Sequence, residues 1–456
     1  MEKNLHFIGI GGIGMSAIAK IMISQGFHIS GSDLQESHLC RSLSEQGAKI
    51  TYGHAQENLP QDTQAVVYSS AVSEDNVEIK EAYQRGLPVY KRAEMLAYLI
   101  SCKHAIGVAG SHGKTTVSGM IATMLELCST APTVVIGGML PLIGGNAKAG
   151  DGPYLVAEAD ESDGTFLLLK PEMAVVTNIE CDHIDYYSDL EQVKQAFAQY
   201  LRQLPPQGFA VVCSDCPQIR ELMGSIPGRY ITYGLQWPAN YTAFAIRHSL
   251  AGVAADIYKN GALLGRLSLK IPGEHNVTNA LAAVAIGQEL GLSFSDIADA
   301  LISFNGTGRR FEVLGQASGV TVVDDYAHHP TELAATISAA RDMASFKRII
   351  AVFQPHRYSR TQAMYAEFAQ ALTQADAAVI QELYPAFEQP IPGVSAQLIV
   401  DEGLRLGFAD ITYAPGEEAT LAKLTELTLP GDLLLVMGAG NIRRVGERFF
   451  EKVPRR

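Results

Sequence analysis

Residues 107–116 read GVAGSHGKTT, and this stretch determines how the middle of the chain folds. The apolar run 105–109 predicts a buried strand, and the segment 117–127 predicts an amphipathic helix. Between them, a glycine-rich loop points successive backbone N–H groups and a helix N-terminus at one place, where a polyphosphate binds. The sequence therefore predicts a phosphate-binding loop between a strand and a helix.

The loop residues have separate expected tasks. Lys114 is expected to reach the β- and γ-phosphates, and the Thr115 hydroxyl is expected to bind Mg²⁺. The eight-residue P-loop pattern is not fully met, because its first glycine falls on Val108 and the shorter form GSHGKTT stands at 110–116. The alternative interpretation is an ordinary glycine-rich turn followed by a surface lysine.

Composition excludes several classes of protein. A chain of 456 residues predicts about three domains, and 47% hydrophobic with 18% charged residues is typical of compact globular chains. The net charge of −13 argues against a general nucleic-acid binder. There is no apolar run as long as a membrane span, and the six cysteines resemble reduced thiols, so we expect a soluble cytoplasmic protein.

A second glycine motif opens the chain. The strand predicted at 5–10 runs into Gly-x-Gly-Gly-x-Gly at 9–14, and Asp33 ends the next predicted strand, where a ribose-binding acid would stand. A further strand at 65–72 carries Ser69 and Ser70 toward the same edge. The pattern fits NAD, a UDP-sugar or a turn that needs glycine only for packing. The first domain boundary is predicted near residue 100.

Two strands that follow the phosphate loop end in acidic clusters. The segment 154–163 contains four carboxylates, including Glu158, and the segment 173–187 ends in three acids and His183. A single acid at such a place is more often a helix cap or a solvated loop residue. Two clusters downstream of GKTT instead favour one or two Mg²⁺ ions beside a triphosphate.

The next segments are more ambiguous. A β-rich part is predicted at 230–269, and Asn276 and Asn279 stand three apart at the predicted start of a helix. Each asparagine suits capping as well as it suits binding a base or a metal-bound water. Arg309 and Arg310 lie on a glycine-rich linker before the second boundary, near residue 314, where one of them could stabilise a transferred phosphoryl group.

The last region predicts a second open α/β sheet. Its strands at 320–332, 348–361 and 432–442 each carry polar residues at the carboxyl end. Because the carboxyl ends of parallel strands share one edge, we expect a binding face there. Thr331 is expected to cap the helix that follows the first of these strands.

These motifs, in this order, resemble the Mur ligase family from end to end. The matching segments are GIGGIGMS, GSHGKTT, EADESDGTF, NIECDHIDYY, EHNVTNALAA, GTGRRFE, DDYAHHPTE, FQPHRYSRT and GAGNI. DDYAHHPTE and HRYSRT are similar to the alanine-adding branch in particular. The resemblance implies three α/β domains: a UDP-sugar-binding Rossmann-like domain (1–100), a P-loop-type ATPase with a mostly parallel sheet and a small β-rich part (101–314), and an amino-acid-binding Rossmann-like domain (315–456).

The resemblance also implies an activity. It is the ATP- and Mg²⁺-dependent ligation of L-alanine to UDP-N-acetylmuramate through an acyl phosphate, in peptidoglycan synthesis. The partners would be these two substrates, with no nucleic acid and no membrane, and the chain would be a monomer or a weak homodimer.

Site residues follow by position. The residues expected to bind the UDP-sugar come from the first glycine motif and from the two strand ends beside it. They are Gly9, Gly11, Gly12, Ile13, Gly14, Met15, Asp33, Ser69 and Ser70. The ATP residues are Gly110, Ser111, His112, Gly113, Lys114, Thr115, Thr116, Asn276, Asn279, Arg310 and Asp325. The expected metal ligands are Thr115, Glu158 and His183, and the expected catalytic residues are Lys114, Glu158, His183 and Arg310. The alanine residues are Tyr326, His328, His356 and Arg360.

The chain departs from the family pattern at a few positions. Phe197 stands where ligases for later amino acids carry a carbamoylated lysine, so that modification is not expected. Ala327 replaces a glycine, Phe387 replaces a glycine and Asn441 replaces an acid. None of these departures touches the expected phosphate chemistry.

Three rival functions fit the sequence less well. If the protein were a nicotinamide oxidoreductase, the GSHGKTT segment would have no function. If it were a switch-type ATPase or GTPase, the His- and Arg-rich third domain would be unexplained. The nearest rival is the recycling ligase that adds a whole tripeptide to the same sugar, for which the HRYSRT segment is expected to differ.

Overall fold

The computed structural model describes residues 3–181, 186–249, 251–386 and 388–452. The chain divides into two compact units. The first is Met1–Thr242, Lys259–Ala262 and Asn279–Leu301, and the second is Ala243–Tyr258, Leu263–Thr278 and Ile302–Arg456. Three separate sheets, mostly parallel, confirm the predicted three-domain α/β class. The boundaries near residues 100 and 314 stay predictions.

The first sheet holds the N-terminal glycine motif. Its strands and helices are β1 (Asn4–Ile8), α1 (Ile13–Ser24), β2 (His28–Asp33), α2 (His38–Glu45), β3 (Lys49–Tyr52), β4 (Ala65–Tyr68), α3 (Val77–Gln84), β5 (Val89–Lys91) and α4 (Arg92–Ser101). All strands are parallel, in the order β3-β2-β1-β4-β5. The order reverses at β1, so the loop after β1 opens into the crevice where doubly wound sheets bind ligands.

The second sheet holds the phosphate loop. Its elements in the first unit are β6 (His104–Ala109), α5 (Lys114–Leu127), β7 (Thr133–Leu140), β8 (Gly145–Lys148), β9 (Tyr154–Glu158), β10 (Met173–Val176), α6 (Leu190–Arg202), β11 (Phe209–Cys213), α7 (Pro217–Ser225) and β12 (Tyr230–Tyr233). The order is β8-β7-β9-β6-β10-β11-β12, parallel except for β7 with β8. The loop after β6 therefore lies between two strands that come later in the chain.

The predicted β-rich part is present. It consists of β13 (Tyr241–Ser249), β14 (Gly252–Lys259) and β15 (Ala262–Leu269), which are sheet neighbours in that order, followed by α8 (Glu274–Glu289) and α9 (Phe294–Leu301). Helix α8 begins at Glu274, before both asparagines that the sequence placed at the helix start. Asn276 and Asn279 therefore lie inside its first two turns, so of the two alternatives left open for these asparagines, capping does not hold for either.

The third sheet lies in the second unit. Its elements are β16 (Glu312–Ala317), β17 (Val320–Asp325), α10 (Pro330–Asp342), β18 (Ile349–Phe353), α11 (Tyr358–Leu372), β19 (Ala377–Gln381), α12 (Gln397–Arg405), β20 (Ile411–Ala414), α13 (Gly416–Leu427), β21 (Leu433–Met437) and α14 (Arg443–Lys452). The order is β16-β17-β21-β18-β19-β20, parallel except for β16 with β17.

Helices cover both faces of this third sheet. In β18, Ala351 and Phe353 pack into one buried cluster, while Ile350 and Val352 pack into another. A strand buried on both faces is apolar without alternation, which is why β18 and β21 read as continuous apolar runs. Because β17, β18 and β21 are parallel, their carboxyl ends lie at one edge of this sheet.

Two smaller findings complete the fold. His329, not Thr331, occupies the N-cap of α10, where its ring nitrogen accepts a hydrogen bond from the Thr331 N–H at 3.4 Å. Among the described residues, no helix combines the length and apolar character that a membrane crossing requires.

Candidate active site

The phosphate loop is a tight turn between β6 and α5 that only glycine fits at two points. Gly110 has φ +133°, and a Cβ there would lie 2.0 Å from the Thr177 hydroxyl oxygen. Gly113 has φ +83° directly before α5 begins. The next strand end holds the loop, because the Thr177 hydroxyl donates to the His112 carbonyl at 2.5 Å and the Asn178 side chain accepts from the His112 N–H at 2.8 Å. The loop is therefore preformed.

Lys114 is the first residue of α5, and its side chain folds back over the loop. Its Nζ lies 2.6 Å from the Gly110 carbonyl oxygen, 3.3 Å from that of Ser111, and 2.9 Å from a Glu161 carboxylate oxygen. Burial alone would lower the pKa of Lys114, but the carboxylates of Glu161, Asp160 and Glu158 outweigh it and raise that pKa. The lysine keeps its charge at the mouth of the loop.

Glu158 ends β9 and faces the first turn of α5. Each of its two carboxylate oxygens lies 3.0 Å from the Thr115 hydroxyl, and one also accepts the Gly137 N–H at 2.8 Å. Burial raises the pKa of the Glu158 carboxyl, and Lys114 and the Gly137 N–H offset this only partly. The two Glu158 carboxylate oxygens and the Thr115 hydroxyl provide three hard oxygen ligands. Because positive charge nearby compensates Glu158 only in part, this group suits a divalent cation such as Mg²⁺.

Other predicted ATP residues of the first unit lie at the same loop. The Asn279 amide oxygen is 2.9 Å from where a Gly113 Cβ would stand, so Asn279 lies against the loop backbone. The Ser111 hydroxyl accepts the Glu180 N–H at 2.8 Å. Thr116 is buried. His183, the expected second metal ligand, lies outside the described residues.

The glycine turn after β1 is closed by its own strand ends. Gly9 has φ +76° and donates its N–H to the Ser32 carbonyl at 2.8 Å. One Asp33 carboxylate oxygen accepts the Gly11 N–H at 2.8 Å, and the other accepts the Leu34 N–H at 2.8 Å. Asp33 therefore shapes the turn itself, and its place at the strand end is as predicted.

The remaining residues of that group differ in what they present to the turn. Ser69 lies against Gly9, with its Cβ 3.1 Å from where a Gly9 Cβ would stand, and Ser70 is exposed. Ile13 is 52% exposed, whereas the Met15 side chain is buried. Met15 thus leaves only its backbone for a ligand.

In the second unit, Asp325 ends β17 and ties the linker to the sheet. It is only 6% exposed, and its carboxylate accepts the Phe311 N–H and the Ala327 N–H, both at 2.8 Å. Burial raises the pKa of Asp325 to about 6, although the Arg310 guanidinium and both N–H groups lower it in part. Asp325, predicted as an ATP contact, holds the backbone beside Arg310.

We expect Asp325→Asn to change how stability depends on pH. The folded-state pKa of about 6 lies above the ordinary value of 3.8, so the folded chain holds the proton more tightly. The contribution of this carboxyl is full below about pH 4 and is lost as the pH rises through about 6, by roughly 3 kcal/mol. Urea unfolding free energies of wild type and variant from pH 4 to 7.5 measure it: the wild-type advantage shrinks with rising pH.

Asp376→Asn is the matched control of opposite sign. Burial raises the pKa of Asp376, but the Arg341 guanidinium and the Ile349 N–H outweigh burial and lower it. Its contribution is therefore present at neutral pH and is lost in acid. A pH-independent difference between wild type and Asp325→Asn would contradict the assignment.

The aromatic residues predicted for the amino acid form one row. The Tyr326 and His328 rings meet edge to face with centroids 5.3 Å apart, and His356 follows at 6.1 Å from His328. His356 stacks on Tyr384 at 5.6 Å. Arg360, in the first turn of α11, is 6% exposed. The second unit thus gathers the first three of the four predicted residues at one edge of its sheet.

The two linker arginines have different surroundings. Arg309 donates to the Gly438 carbonyl at 2.6 Å and to Asp324 at 3.2 Å, so it fastens the linker to two strand ends. Arg310 lies 3.3 Å from a Glu332 oxygen, and its guanidinium is 5.4 Å from the Tyr326 ring centroid. Arg309 lies over the same ring, at 4.9 Å, so both arginines border Tyr326. Only Arg310 also pairs with Glu332, the residue that accepts the His328 N–H. Asn276, also in this unit, donates its side-chain N–H to the Pro272 carbonyl at 2.6 Å.

Several residues at these places were not singled out from sequence. Glu161 was one of four acids in its segment, and nothing in the spacing marked it as the partner of Lys114. Asn146 donates to the Ile13 carbonyl at 2.6 Å from a strand far along the chain. Glu332 accepts the His328 N–H at 3.0 Å, and its spacing of four residues from His328 was a usable signal.

The positions that depart from the family pattern are accommodated. Phe197 is fully buried and packs against Phe166, with centroids 5.4 Å apart. Ala327 is fully buried. Asn441 accepts a hydrogen bond from the Gln354 side chain at 2.9 Å. Phe387 lies outside the described residues.

Comparisons with known proteins agree with this arrangement of sheets and loops. Residues 4–104 match the Mur ligase family, catalytic domain; residues 108–287 match the Mur ligase middle domain; and residues 309–440 match the Mur ligase, glutamate ligase domain. The three matches follow one another along nearly the whole chain.

Full-length relatives are similar over the same span. The UDP-N-acetylmuramate--L-alanine ligase of Syntrophotalea carbinolica is 47% identical over 454 residues, covering 100% of this chain and 99% of its own length. That of Pelotomaculum thermopropionicum is 47% identical, covering 98% and 96%. The crystal structure of UDP-N-acetylmuramate-alanine ligase from Thermotoga maritima superposes with a TM-score of 0.82 at 31% identity, covering 98% of both chains. Because three Mur ligase domain models match successive parts of the chain and full-length relatives are 47% identical to it, the chain belongs to the Mur ligase family.

Proposed function

We propose that this protein is an ATP-dependent ligase that joins L-alanine to UDP-N-acetylmuramate through an acyl phosphate, as one step of peptidoglycan synthesis. The observation that carries the proposal is the loop 110–116, where a charged Lys114 lies over a preformed turn beside the Thr115–Glu158 pair. The names of the full-length relatives support the choice of sugar and amino acid.

ATP binding rests on the loop geometry and on the family, whose members are ATP-dependent ligases. The backbone N–H groups of the loop and the N-terminus of α5 would hold the phosphates, and Lys114 would lie against the terminal ones. Thr115 and Glu158 would hold Mg²⁺, which supplies charge neutralisation at the phosphates when it is bound. The expected role of His183 as a second metal ligand stays a prediction.

The reaction needs activation because a carboxylate and an amine do not condense in neutral water. The muramyl carboxylate would attack the γ-phosphorus of ATP, breaking its bond to the bridging oxygen and releasing ADP. The neutral alanine amine would then attack the acyl carbon, and phosphate would leave with the acyl C–O bond electrons. In the first step Lys114 would stabilise the charge that develops on the transferred phosphoryl group.

The alanine would bind in the second unit. The guanidinium of Arg360, buried at the start of α11, would pair with the alanine carboxylate in a bidentate manner. The row formed by Tyr326, His328 and His356 would border it. Arg310, which lies with this row, would contribute positive charge toward the transferred phosphoryl group. A monomer or weak homodimer in the cytoplasm remains our expectation.

ADP release distinguishes the candidate functions. We expect release with ATP, Mg²⁺, UDP-N-acetylmuramate and L-alanine, and only background release when either substrate is omitted. A coupled assay for ADP, with mass spectrometry of the product, measures it. Replacing alanine by the tripeptide L-alanyl-γ-D-glutamyl-meso-diaminopimelate tests the recycling-ligase alternative in the same assay.

Three outcomes would contradict the proposal. Tripeptide-dependent release without alanine-dependent release would assign the recycling reaction. Release that needs neither sugar nor amino acid would indicate a simple ATPase. Oxidation of NADH with no release of ADP would indicate an oxidoreductase that uses the first glycine turn.

A further inference from the structure

Arg92 lies beside the glycine turn after β1, although 78 positions separate it from Gly14 in the sequence. It is the first residue of α4 and is half-buried. Its Cδ and one terminal guanidinium nitrogen lie 3.0 and 3.1 Å from where a Gly14 Cβ would stand. The absence of a side chain at residue 14 is what leaves room for the guanidinium against the first turn of α1.

In the part of the chain that the structure describes, this guanidinium has no acidic partner. Within residues 3–181, 186–249, 251–386 and 388–452, the Arg92 side chain makes no hydrogen bond and no ion pair. The nearest acid along α4, Glu94, accepts the Lys91 N–H at 2.7 Å. Glu74 pairs with the Lys91 ammonium at 3.4 Å. Four other arginines of this unit contact an acid or a backbone carbonyl: Arg41, Arg85, Arg220 and Arg229. The Arg92 guanidinium is therefore available for an anionic ligand.

The adjoining helix end supplies the rest of an anion site. Helix α1 has twelve residues and begins after Gly12, and its first-turn N–H groups have no partners within the helix. The Gly12 N–H bonds to the Gly9 carbonyl, and the Gly11 N–H bonds to Asp33, so the turn is already held in shape. Helix dipole and open N–H groups attract an anion, and Arg92 adds a full charge at the side of the same turn.

We propose that Arg92 binds the diphosphate of the UDP-sugar and that Gly14 is glycine to admit it. The inference rests on the proposed function, since it takes the nucleotide-sugar as the ligand of this turn. A guanidinium beside a helix N-terminus binds a phosphate oxygen by charge-assisted hydrogen bonds that a lysine or glutamine does not reproduce. Arg92 is therefore a substrate-binding residue, without a part in phosphoryl transfer.

Arg92→Gln tests this through binding as well as turnover. By calorimetry on the full chain, we expect the Kd for UDP to rise roughly 10- to 100-fold, as for loss of a charged hydrogen bond, with weak uridine binding unchanged. In the ligase assay the KM for UDP-N-acetylmuramate should rise by a similar factor, while kcat and the KM values for ATP and alanine stay constant. Arg92→Lys should fall between wild type and Arg92→Gln.

Two further variants make the test specific. Lys80→Gln removes the same charge from an exposed position of the same sheet region, where Lys80 pairs with Asp75 at 2.9 Å, and it should leave UDP binding unchanged. Gly14→Ala should displace the guanidinium and weaken UDP binding, but it should add little in the Arg92→Gln background, because the contact is already lost.

The outcomes separate this inference from the proposed function. If wild type binds UDP and Arg92→Gln binds it equally well, the role of Arg92 is overturned while the ligase proposal stands. If wild type neither binds UDP nor ligates alanine, the proposed function itself is overturned. Equal weakening of uridine and UDP binding by Arg92→Gln would also overturn the role of Arg92, because the residue would then support the nucleoside and not the phosphates.

Discussion

Lys114→Met is expected to lower turnover by roughly 100- to 1,000-fold, the effect of removing one preorganised charge from a phosphoryl-transfer site. Lys114 is the cation that touches both the Gly110 carbonyl and Glu161 at the phosphate loop. Methionine preserves the length of the apolar stem but has no charge to stabilise the transferred group. The measurement is kcat for alanine-dependent ADP release at saturating substrates.

The same variant should also lose stability, and this needs separating from the chemistry. Glu161 is 1% exposed and pairs with Lys114, so Lys114→Met breaks a buried ion pair, at a cost of about 3–5 kcal/mol. The double variant Lys114→Met with Glu161→Gln removes both charges of this pair. We expect its urea midpoint to recover toward wild type while turnover stays low.

Lys103→Met is the matched control for this experiment. Lys103 is also partly buried, near the start of β6, and donates to the Gly150 and Gly152 carbonyls at 2.6 Å each. Its loss should lower stability with little change in kcat. Wild-type turnover in folded Lys114→Met would remove the phosphate-site assignment, and equal loss of turnover in Lys103→Met would show that the effect is one of folding.

Gly110→Ala is expected to be the most damaging methyl addition in the phosphate loop. The new Cβ would lie 2.0 Å from the Thr177 hydroxyl oxygen, at a backbone φ of +133° that side chains rarely adopt. Strain and overpacking together should cost about 2–5 kcal/mol of unfolding free energy. Because the loop must shift to relieve the contact, turnover should also fall by roughly 100-fold. Urea unfolding and kcat measured on one preparation report both effects.

Gly86→Ala provides the comparison. Gly86 also has a positive φ, +67°, but a Cβ there would meet nothing within 4 Å. It should cost only the backbone strain, about 1–2 kcal/mol, with unchanged turnover. Similar losses in the two variants would mean that positive φ alone explains Gly110, and that contact with the strand end at Thr177 is unimportant.

Much of the fold followed from local patterns. Apolar runs ended by polar clusters located β1, β6, β17, β18 and β21, because a strand buried on both faces needs apolar residues throughout. Short edge strands such as β3, β5 and β8 were not recognised. They have only three or four residues, and β3 is largely exposed, so no apolar run marks them.

The candidate site also has a part that the sequence predicts and a part that only folding determines. Amino-acid order alone predicted the turn between β6 and α5, since GSHGKTT carries its glycines, lysine and hydroxyls within seven consecutive residues. Phosphate binding by the backbone of this turn stays a prediction. Folding selected Glu158 for Thr115 and Glu161 for Lys114 from four similar acids. Residues after a strand end have no regular alternation that would reveal their direction.

Contacts between distant segments depended wholly on packing. Asp325 accepts the Phe311 N–H from the preceding linker, and burial there sets its pKa near 6. Arg92 reaches Gly14 because α1 and α4 pack side by side on one sheet. The amino-acid sequence specifies the chemistry of residues that are neighbours along one stretch of backbone. The tertiary structure alone specifies which distant side chains pair and which groups lose contact with water. Both depend on distances between separate helices and strands, which spacing along the chain does not encode.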